Sequence, residues 1–563
     1  MRKLLWLISP FVLMALGSMA SAQTLPGGLK QALSCDYGGA LCAEVYDSSI
    51  IASDGHYIGH DEPSLLFYSS VPGSGNSMVY LMQVPKDPPT PPRQDGTGGT
   101  YNYQLYGAGP SLWLGMALCD DQSAPNPGGS TLVGPNIACK PDSDDNIFDA
   151  SDPPANDYIG KHPGAAFLEL QFYSPGNALA GCDLAHWCSA LIIASLSVNQ
   201  NTGQVNNAAC GEVAGIEYLN FAYITKNGVP LGPPSPLLAN NSTFTPTANT
   251  MLYNPGDVLR IVLQDTPNGL QISIADLTKG ESGSMTASAK NGFAQVLFDP
   301  NGTGCDPSTH NLPADFHAMY ATSSEHTGLP WVRNGFNVSF SPELGHFEYC
   351  STVQSEGGPC TSTAAGDPPG LDDNFCFSGS FLGSVGLFPI GACFDEDHDF
   401  DGVSYQNTWP GTLTNRGLDQ QLHPRPVLFT SPLFTNASTK ATQNYDRVAF
   451  EADLPLIEPT CQVYISNPAV PNPGTGCVNP PAGAEFYPFY TTRGGESSCT
   501  WQFGGANIPG TQQTFGGSST AEFGPLLEEG FPTPAGIALR YREFRQVLSS
   551  NPCPSKGNIA SLD

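Results

Sequence analysis

Two short stretches of the sequence carry most of the residues that could do chemistry. Residues 54–63 read DGHYIGHDEP, which places two histidines four apart beside Asp61 and Glu62. Residues 395–402 read DEDHDFDG, in which aspartates alternate and a glycine follows. Imidazole nitrogens suit transition metals, whereas carboxylate oxygens suit hard cations such as calcium. The first stretch therefore indicates a candidate metal or acid/base site, and the second indicates a calcium site.

The aspartate stretch matches a calcium-loop pattern. Asp397, Asp399 and Asp401 take the first, third and fifth positions, and Gly402 takes the sixth, where a sharp turn lets the carboxylates converge on one cation. Thr408 stands where an EF-hand supplies a bidentate glutamate, which excludes that class. The stretch predicts a structural calcium ion in another kind of loop. The alternative is a solvated acidic turn in an acidic chain.

The histidine pair has two interpretations. His56 and His60 would share a face only in a helix, and the glycines around them and Pro63 disfavour a helix. In an extended chain the two would lie about 13 Å apart, too far to share an ion. Either His60, Asp61 and Glu62 form a polar site at the start of the next strand, or they make local hydrogen bonds in a turn. Local hydrogen bonding is the favoured interpretation.

A second group of histidines lies near the middle of the chain. His317, His326 and His346 are interspersed with three glutamates, a mixture that suits zinc, copper or iron. No compact H-E-x-x-H or H-x-H signature occurs among them. A transition-metal enzyme that uses His60 with one or more of these histidines is therefore an alternative hypothesis.

Hydrolysis of a sugar polymer requires two carboxylates, roughly 5 Å apart for retention or 6.5–9.5 Å apart for inversion. In FLELQFY, residues 167–173, strand alternation places Glu169 on one face between two aromatic residues. This arrangement is typical of a sheet face that binds a sugar, although an ordinary solvent-facing strand has the same pattern. The candidate catalytic residues are Asp61, Glu62 and Glu169, and the candidate substrate contacts are Phe167, Gln171 and Tyr173.

The elements that must position these residues are strands. Short runs rich in aromatic and β-branched residues are bounded by Gly, Pro, Asn or Asp at residues 79–84, 101–106, 112–118, 167–173, 191–198 and 218–224. The clearest hairpin joins residues 258–265 to 270–277, with positive φ angles expected at Asn268 and Gly269. Apolar residues three and four apart predict one amphipathic helix at residues 537–548.

The start of the chain and its cysteines indicate export. A charged start, an apolar run and a small-residue exit predict a signal peptide over residues 1–22. Sixteen cysteines without paired C-x-x-C clusters predict disulfides, because an oxidising compartment favours them. The candidate short loops are Cys35–Cys42, Cys119–Cys139, Cys182–Cys188, Cys350–Cys360, Cys376–Cys393 and Cys461–Cys477, with Cys499–Cys553 as a further pair.

Composition limits the partners. The net charge of −30 disfavours nucleic acid and anionic lipid, which require positive patches. Only 13% of residues are charged, against a usual value of about 25%, so that the surface must be largely neutral and polar. Outside residues 1–22 no run of about 20 apolar residues occurs, so the sequence predicts no membrane span there. A neutral extracellular polymer, most plausibly a polysaccharide, fits these limits.

The predicted architecture is all-β, with two disulfide-stabilised β-sandwich or jelly-roll-like modules. The first module covers residues 23–350, and a Gly/Pro-rich linker or long loop covers 351–375. The second module, residues 376–563, holds the calcium-type loop and the amphipathic helix. At 563 residues the length favours more than one core.

Several strings, among them YIGHDEPSLLFYSS, CDLAHWCSAL, NGVPLGPPSP, GSMTASAKNGF, ELGHFEYC and CTWQFGG, resemble a group of large secreted proteins of soil bacteria and filamentous fungi. The resemblance covers most of the mature chain and implies export and a β-rich architecture. It assigns no catalytic residue. The leading hypothesis is a secreted protein that acts on or binds a neutral polymer, most plausibly a polysaccharide, as a carboxylate-dependent hydrolase. A non-catalytic carbohydrate-binding or adhesion protein is the main alternative.

Overall fold

The computed structural model describes about half of the chain, in short and long stretches between Ser64 and Cys553. The longest are residues 73–86, 112–121, 165–176, 182–196, 204–214, 217–318 and 428–445, and the others are the strands given below with a few flanking residues. Within these stretches the chain is strand-rich, as the composition predicts.

The first half of the described chain contains strands β1 to β15 and two short helices, α1 at Ala208–Ala214 and α2 at Pro307–His310. The strands are β1 Ser64–Tyr68, β2 Ser77–Gln83, β3 Leu112–Asp120, β4 Ala165–Tyr173, β5 Trp187–Leu196, β6 Val198–Asn199, β7 Gln204–Val205, β8 Glu217–Tyr223, β9 Leu252–Tyr253, β10 Val258–Thr266, β11 Gly269–Asp276, β12 Glu281–Thr286, β13 Ala294–Val296, β14 Asn311–Pro313 and β15 Phe316–Ala318.

The second half contains strands only. They are β16 Val338–Ser341, β17 Thr352–Val353, β18 Cys360–Ser362, β19 Leu428–Thr430, β20 Leu433–Thr435, β21 Thr442–Asn444, β22 Arg447–Asp453, β23 Val463–Tyr464, β24 Glu485–Phe486, β25 Tyr490–Arg493, β26 Thr500–Phe503, β27 Gly517–Ser518, β28 Leu527–Thr533 and β29 Gly536–Val547. The predicted strands at residues 79–84, 112–118, 167–173, 191–198 and 218–224 are confirmed with shifted ends, whereas residues 101–106 lie outside the described residues.

Two large antiparallel sheets organise these strands. The twelve-stranded sheet has the order β23-β29-β22-β1-β16-β3-β4-β5-β8, and the nine-stranded sheet has the order β12-β11-β10-β2-β19-β26-β25, with further strands attached to each. In the first sheet β1 pairs with β22, and in the second β2 pairs with β19. Both sheets therefore contain strands from each side of residues 351–375.

Buried side chains connect the two sheets. The rings of Phe67 and Trp501, one from each sheet, pack edge to face with centroids 6.2 Å apart. The rings of Tyr445 and Phe67 also pack together, with centroids 6.1 Å apart. The Tyr445 hydroxyl donates a hydrogen bond to the backbone oxygen of Ser74 at 2.9 Å. Since Phe67, Trp501 and Tyr445 are at most 1% exposed, the sheets share a common interior at this point.

The predicted hairpin is confirmed as β10 and β11, which pair from Leu259 opposite Asp276 to Thr266 opposite Gly269. Its turn differs from the expectation, because only Gly269 has a positive φ, of 99°, and Asn268 does not. The Thr266 hydroxyl instead donates to the backbone oxygen of Gly269 at 2.7 Å and accepts from the N–H of Asn268 at 3.2 Å. The side chain of Thr266 therefore closes the turn, for which the sequence predicted two residues with positive φ.

The predicted C-terminal helix is wrong. Residues 536–547 form β29, which pairs with β22, β23 and β28. The register with β28 passes from Glu543 to Tyr541 and skips Arg542, which marks a bulge. The spacing of three between Tyr541 and Phe544 spans this bulge, and one extra residue in a strand imitates helical spacing.

Two disulfides are fully described. Cys182–Cys188 closes the predicted six-residue loop beside β5. Cys210–Cys305, which spacing alone did not indicate, links α1 to the segment before α2 across 95 residues. Cys119 and Cys553 are also disulfide-bonded. The expectation of a disulfide-stabilised β protein holds for the part of the chain that the structure describes.

Substitution of Gly269 by alanine tests the hairpin turn. A Cβ at this position would lie 2.3 Å from the backbone oxygen of Ala287, and φ is positive. We expect Gly269→Ala to lower the free energy of unfolding by about 3 kcal/mol, since left-handed strain costs about 1–2 kcal/mol and overpacking adds about as much. Denaturant unfolding would measure the loss, and the dependence of the free energy of unfolding on denaturant concentration should stay unchanged.

Gly280→Ala is the matched control, because φ is also positive there and a Cβ at this position would meet nothing within 4 Å. It should cost only the conformational part, about 1–2 kcal/mol. Equal losses in the two variants would show that the approach of Ala287 to the turn does not constrain Gly269.

Candidate functional site

The row of polar residues expected on β4 exists. Tyr173 donates a hydrogen bond from its hydroxyl to Oε1 of Gln171, and Nε2 of Gln171 donates to Oε2 of Glu169. Alternation along the strand places all three on one face, while Leu168, Leu170 and Phe172 occupy the other. The sequence therefore predicted correctly which residues share a face.

This face of β4 is covered rather than open. Glu169 is 8% exposed and Tyr173 1%, and Phe167 is fully buried against Trp113 at a centroid distance of 5.6 Å. Tyr173 belongs to a buried cluster with Phe221 and neighbouring residues. Gln171, between Glu169 and Tyr173, is half-buried, so in this structure the two aromatic residues of this face pack in the interior and only Gln171 is partly open to solvent.

His317 forms a buried pair with Asp265. Its Nδ1 lies 2.9 Å from Oδ1 of Asp265, and the two side chains are 4% and 0% exposed. Burial raises the pKa of Asp265, and the hydrogen bond with His317 opposes that rise. The pair joins β15 of the twelve-stranded sheet to β10 of the nine-stranded sheet, so its chemistry is that of an internal link between sheets.

A second buried group consists of Asp257 and Asp276, which are 3% and 1% exposed. Nζ of Lys279 lies 3.7 Å from Oδ2 of Asp257 and donates to the backbone oxygen of Leu252 at 2.7 Å. Burial raises the pKa of Asp276, and Asp257 adds to this rise against the backbone N–H groups of Thr278 and Lys279. These carboxylates tie the start of β10 to the end of β11.

The open polar surface of the described chain lies elsewhere, on the outer face of β10, β11 and β12. We call it the polar face. Strand register arranges it in three rows: Arg260–Ala275–Ser282, Val262–Ser273–Ser284 and Gln264–Gln271–Thr286. None of the nine residues is buried, whereas Leu259, Ile261 and Leu263 on the opposite side of β10 are at most 1% exposed. The hairpin therefore has one packed and one solvated side.

A shallow groove of about 230 Å³ crosses one end of the polar face, over a floor of small residues. On the inner side of β12, a Cβ at Gly283 would lie 2.4 Å from Cγ of Met251 and 2.7 Å from the backbone oxygen of Thr225, so glycine lets these residues approach the strand. Thr225 pairs with Ser284 through two backbone hydrogen bonds, which brings Lys226 to the edge of the groove. Arg260 stands at the other edge and forms no ion pair with any residue in the described stretches.

Most residues singled out from the sequence lie outside the described residues. They are His60, Asp61, Glu62, His326, His346, Asp397, Asp399 and Asp401, so the calcium loop and the transition-metal site stay predictions. Within the described stretches, no three His, Cys, Asp or Glu side chains converge as metal ligands. His317, the one predicted metal ligand that is described, has its Nδ1 engaged with Asp265.

No protein-family model matches the chain, and no curated protein matches it. Among the helices in the described stretches, none has the length and apolar character needed to cross a membrane. The polar face was not singled out from the sequence, although its signal was present. Alternation in VLRIVLQD exposes Arg260, Val262 and Gln264 together, and the turn at Gly269 places them beside the serines of β11.

Replacing His317 by leucine tests the buried pair. Asp265 would then be buried without its hydrogen-bonding partner, and we expect a loss of about 1–3 kcal/mol in the free energy of unfolding. The double variant His317→Leu/Asp265→Leu removes both polar groups and should be more stable than His317→Leu alone. Equilibrium unfolding of the two variants would decide, and a double variant less stable than the single one would contradict the account.

Asp276→Asn tests the acidic group through pH. Because the folded-state pKa of Asp276 is raised above the ordinary value of 3.8, the stability it contributes is full below that value and is lost as pH rises through the folded-state pKa. Asparagine does not titrate. The free energy of unfolding of the wild type, relative to that of Asp276→Asn, should therefore fall as pH rises from about 3.8.

Asp306→Asn is a control of opposite sign. The backbone N–H of Ser308 lowers the pKa of this exposed N-cap residue, so its contribution is present above 3.8 and is lost as pH falls through the folded-state pKa. If the free energy of unfolding changed with pH in the same direction for both comparisons, the opposite pKa shifts of Asp276 and Asp306 would be contradicted.

Proposed function

We propose that the protein is an extracellular polysaccharide-binding protein whose polar face contacts the polymer, and that this region does not cut its ligand. The observation that supports the proposal is the chemistry of the polar face. Eight of its nine positions are uncharged, and six of them are Ser, Thr or Gln. This agrees with the chain as a whole, in which only 13% of residues are charged, so hydroxyl and amide groups are what the face offers to a ligand.

Hydroxyl and amide side chains suit a polymer of sugars. Each offers both a donor and an acceptor, and sugar hydroxyl groups require both. Neighbouring residues within a row lie about 4.8 Å apart, and neighbouring rows lie about 6.8 Å apart along the strands, so several groups can contact one extended chain. The rigid hairpin also limits the entropy that must be lost on binding.

Binding is favoured over hydrolysis because of where the described carboxylates lie. Glu169 is covered and hydrogen-bonded to Gln171, while Asp257 and Asp276 are buried beside Lys279. A glycosidase requires two carboxylates that flank an accessible sugar. A hydrolase built on Asp61 and Glu62 stays a prediction, since both lie outside the described residues.

Native gels containing soluble glucan, xylan or galactomannan, together with a reducing-end assay, test the proposal. We expect at least one polymer to retard the wild type without release of new reducing ends. Gln264→Ala/Gln271→Ala should weaken that binding about thirtyfold, because each of the two lost hydrogen bonds is worth about 1 kcal/mol. The control Asn241→Ala alters an exposed residue outside the polar face and should bind normally.

Release of reducing ends would favour the hydrolase instead. Unchanged binding by Gln264→Ala/Gln271→Ala would show that the polar face does not bind the polymer.

A further inference from the structure

The two edges of the groove carry positive charge in a chain that is otherwise acidic. The sequence contains 21 Lys and Arg against 51 Asp and Glu. Arg260 and Lys226 nevertheless line the same groove, with Ser273, Ser282 and Ser284 between them.

Arg260 is available to a ligand. Its side chain is exposed and, within the described residues, makes no hydrogen bond or ion pair. A guanidinium group offers donors in a fork that matches a carboxylate. Lys226 is partly committed, because its Nζ lies 3.2 Å from Oε1 of Glu281, but that pair is exposed and therefore weak.

The floor of the groove determines what can approach the two cations. Ala275 and Ser282 lie in register with Arg260, and small side chains leave room for a ring to lie against the sheet. Serine hydroxyls supply hydrogen bonds to the uncharged parts of such a ring. The site thus combines a neutral floor with cationic edges.

We infer that the groove binds an acidic polysaccharide, with Arg260 contacting a carboxylate group of a sugar-acid unit and Lys226 supporting it. This inference rests on the proposed function and specifies the chemical class of the polymer. The net charge of −30 does not prevent it at physiological ionic strength, where a Debye length of about 8 Å screens distant acids but not a group in contact with Arg260.

Polygalacturonate and its fully methyl-esterified form are the probes, because they share a backbone and differ in charge. At about 0.15 M salt, we expect the wild type to bind the acid form at least tenfold more tightly than the ester. Arg260→Gln should abolish that preference and leave binding of the ester unchanged. Glu281→Gln should strengthen binding of the acid form, since it releases Lys226 from its partner.

Lys290→Gln is the matched control, because it removes one positive charge from an exposed position outside the groove. Its preference should equal that of the wild type. Equal affinity for the two polymers, or a preference that survives Arg260→Gln, would overturn the inference and leave the proposed function standing. Failure to bind either probe or any of the neutral polymers would overturn both.

Discussion

The structure depends on antiparallel pairing between strands that are far apart in the chain. β2 lies at the centre of the nine-stranded sheet, where it pairs with β10 on one side and with β19 and β20 on the other. β1 plays the same part in the twelve-stranded sheet, between β16 and β22. Such pairings cost loop-closure entropy before they contribute, so the sheets require a large shared interior to be stable.

That interior accounts for the distribution of polar and aromatic residues. Phe67, Trp501 and Tyr445 fill the space between the sheets, and the His317–Asp265 pair links them at another point. The face of β4 that holds Glu169 is covered as well. The outer side of β10, β11 and β12, by contrast, is solvated and carries a single charged residue, Arg260.

Local features could be predicted from the sequence, and features that depend on distant segments could not. The alternation in FLELQFY gave the correct faces of β4, and residues 258–277 gave the correct hairpin. Burial of Glu169 depends on what packs over the strand, which alternation does not report. The error at residues 537–548 has a local cause, since the bulge at Arg542 changes the repeat of the strand.

The candidate site illustrates the same limit. Spacing groups His317 with other histidines, and it does not reveal the contact with Asp265, 52 residues away. Ser273 and Ser284 were ordinary strand residues in the sequence, and only the register across three strands sets them beside Arg260 and Gln264. Spacing along the sequence identifies the residues on one face of a strand. To predict a surface composed of several strands, their order and register in the sheet must also be known.

Hydroxyl-radical footprinting of the full chain, with and without a saturating polysaccharide, tests the central claim most directly. Side chains of the polar face, Arg260, Val262 and Gln264, should be protected by the polymer. Leu184 and Val213, which are 79% and 53% exposed away from that face, should be labelled equally in both states. Protection at Leu184 or Val213 with none on β10 would show that the polymer binds elsewhere and would contradict the account.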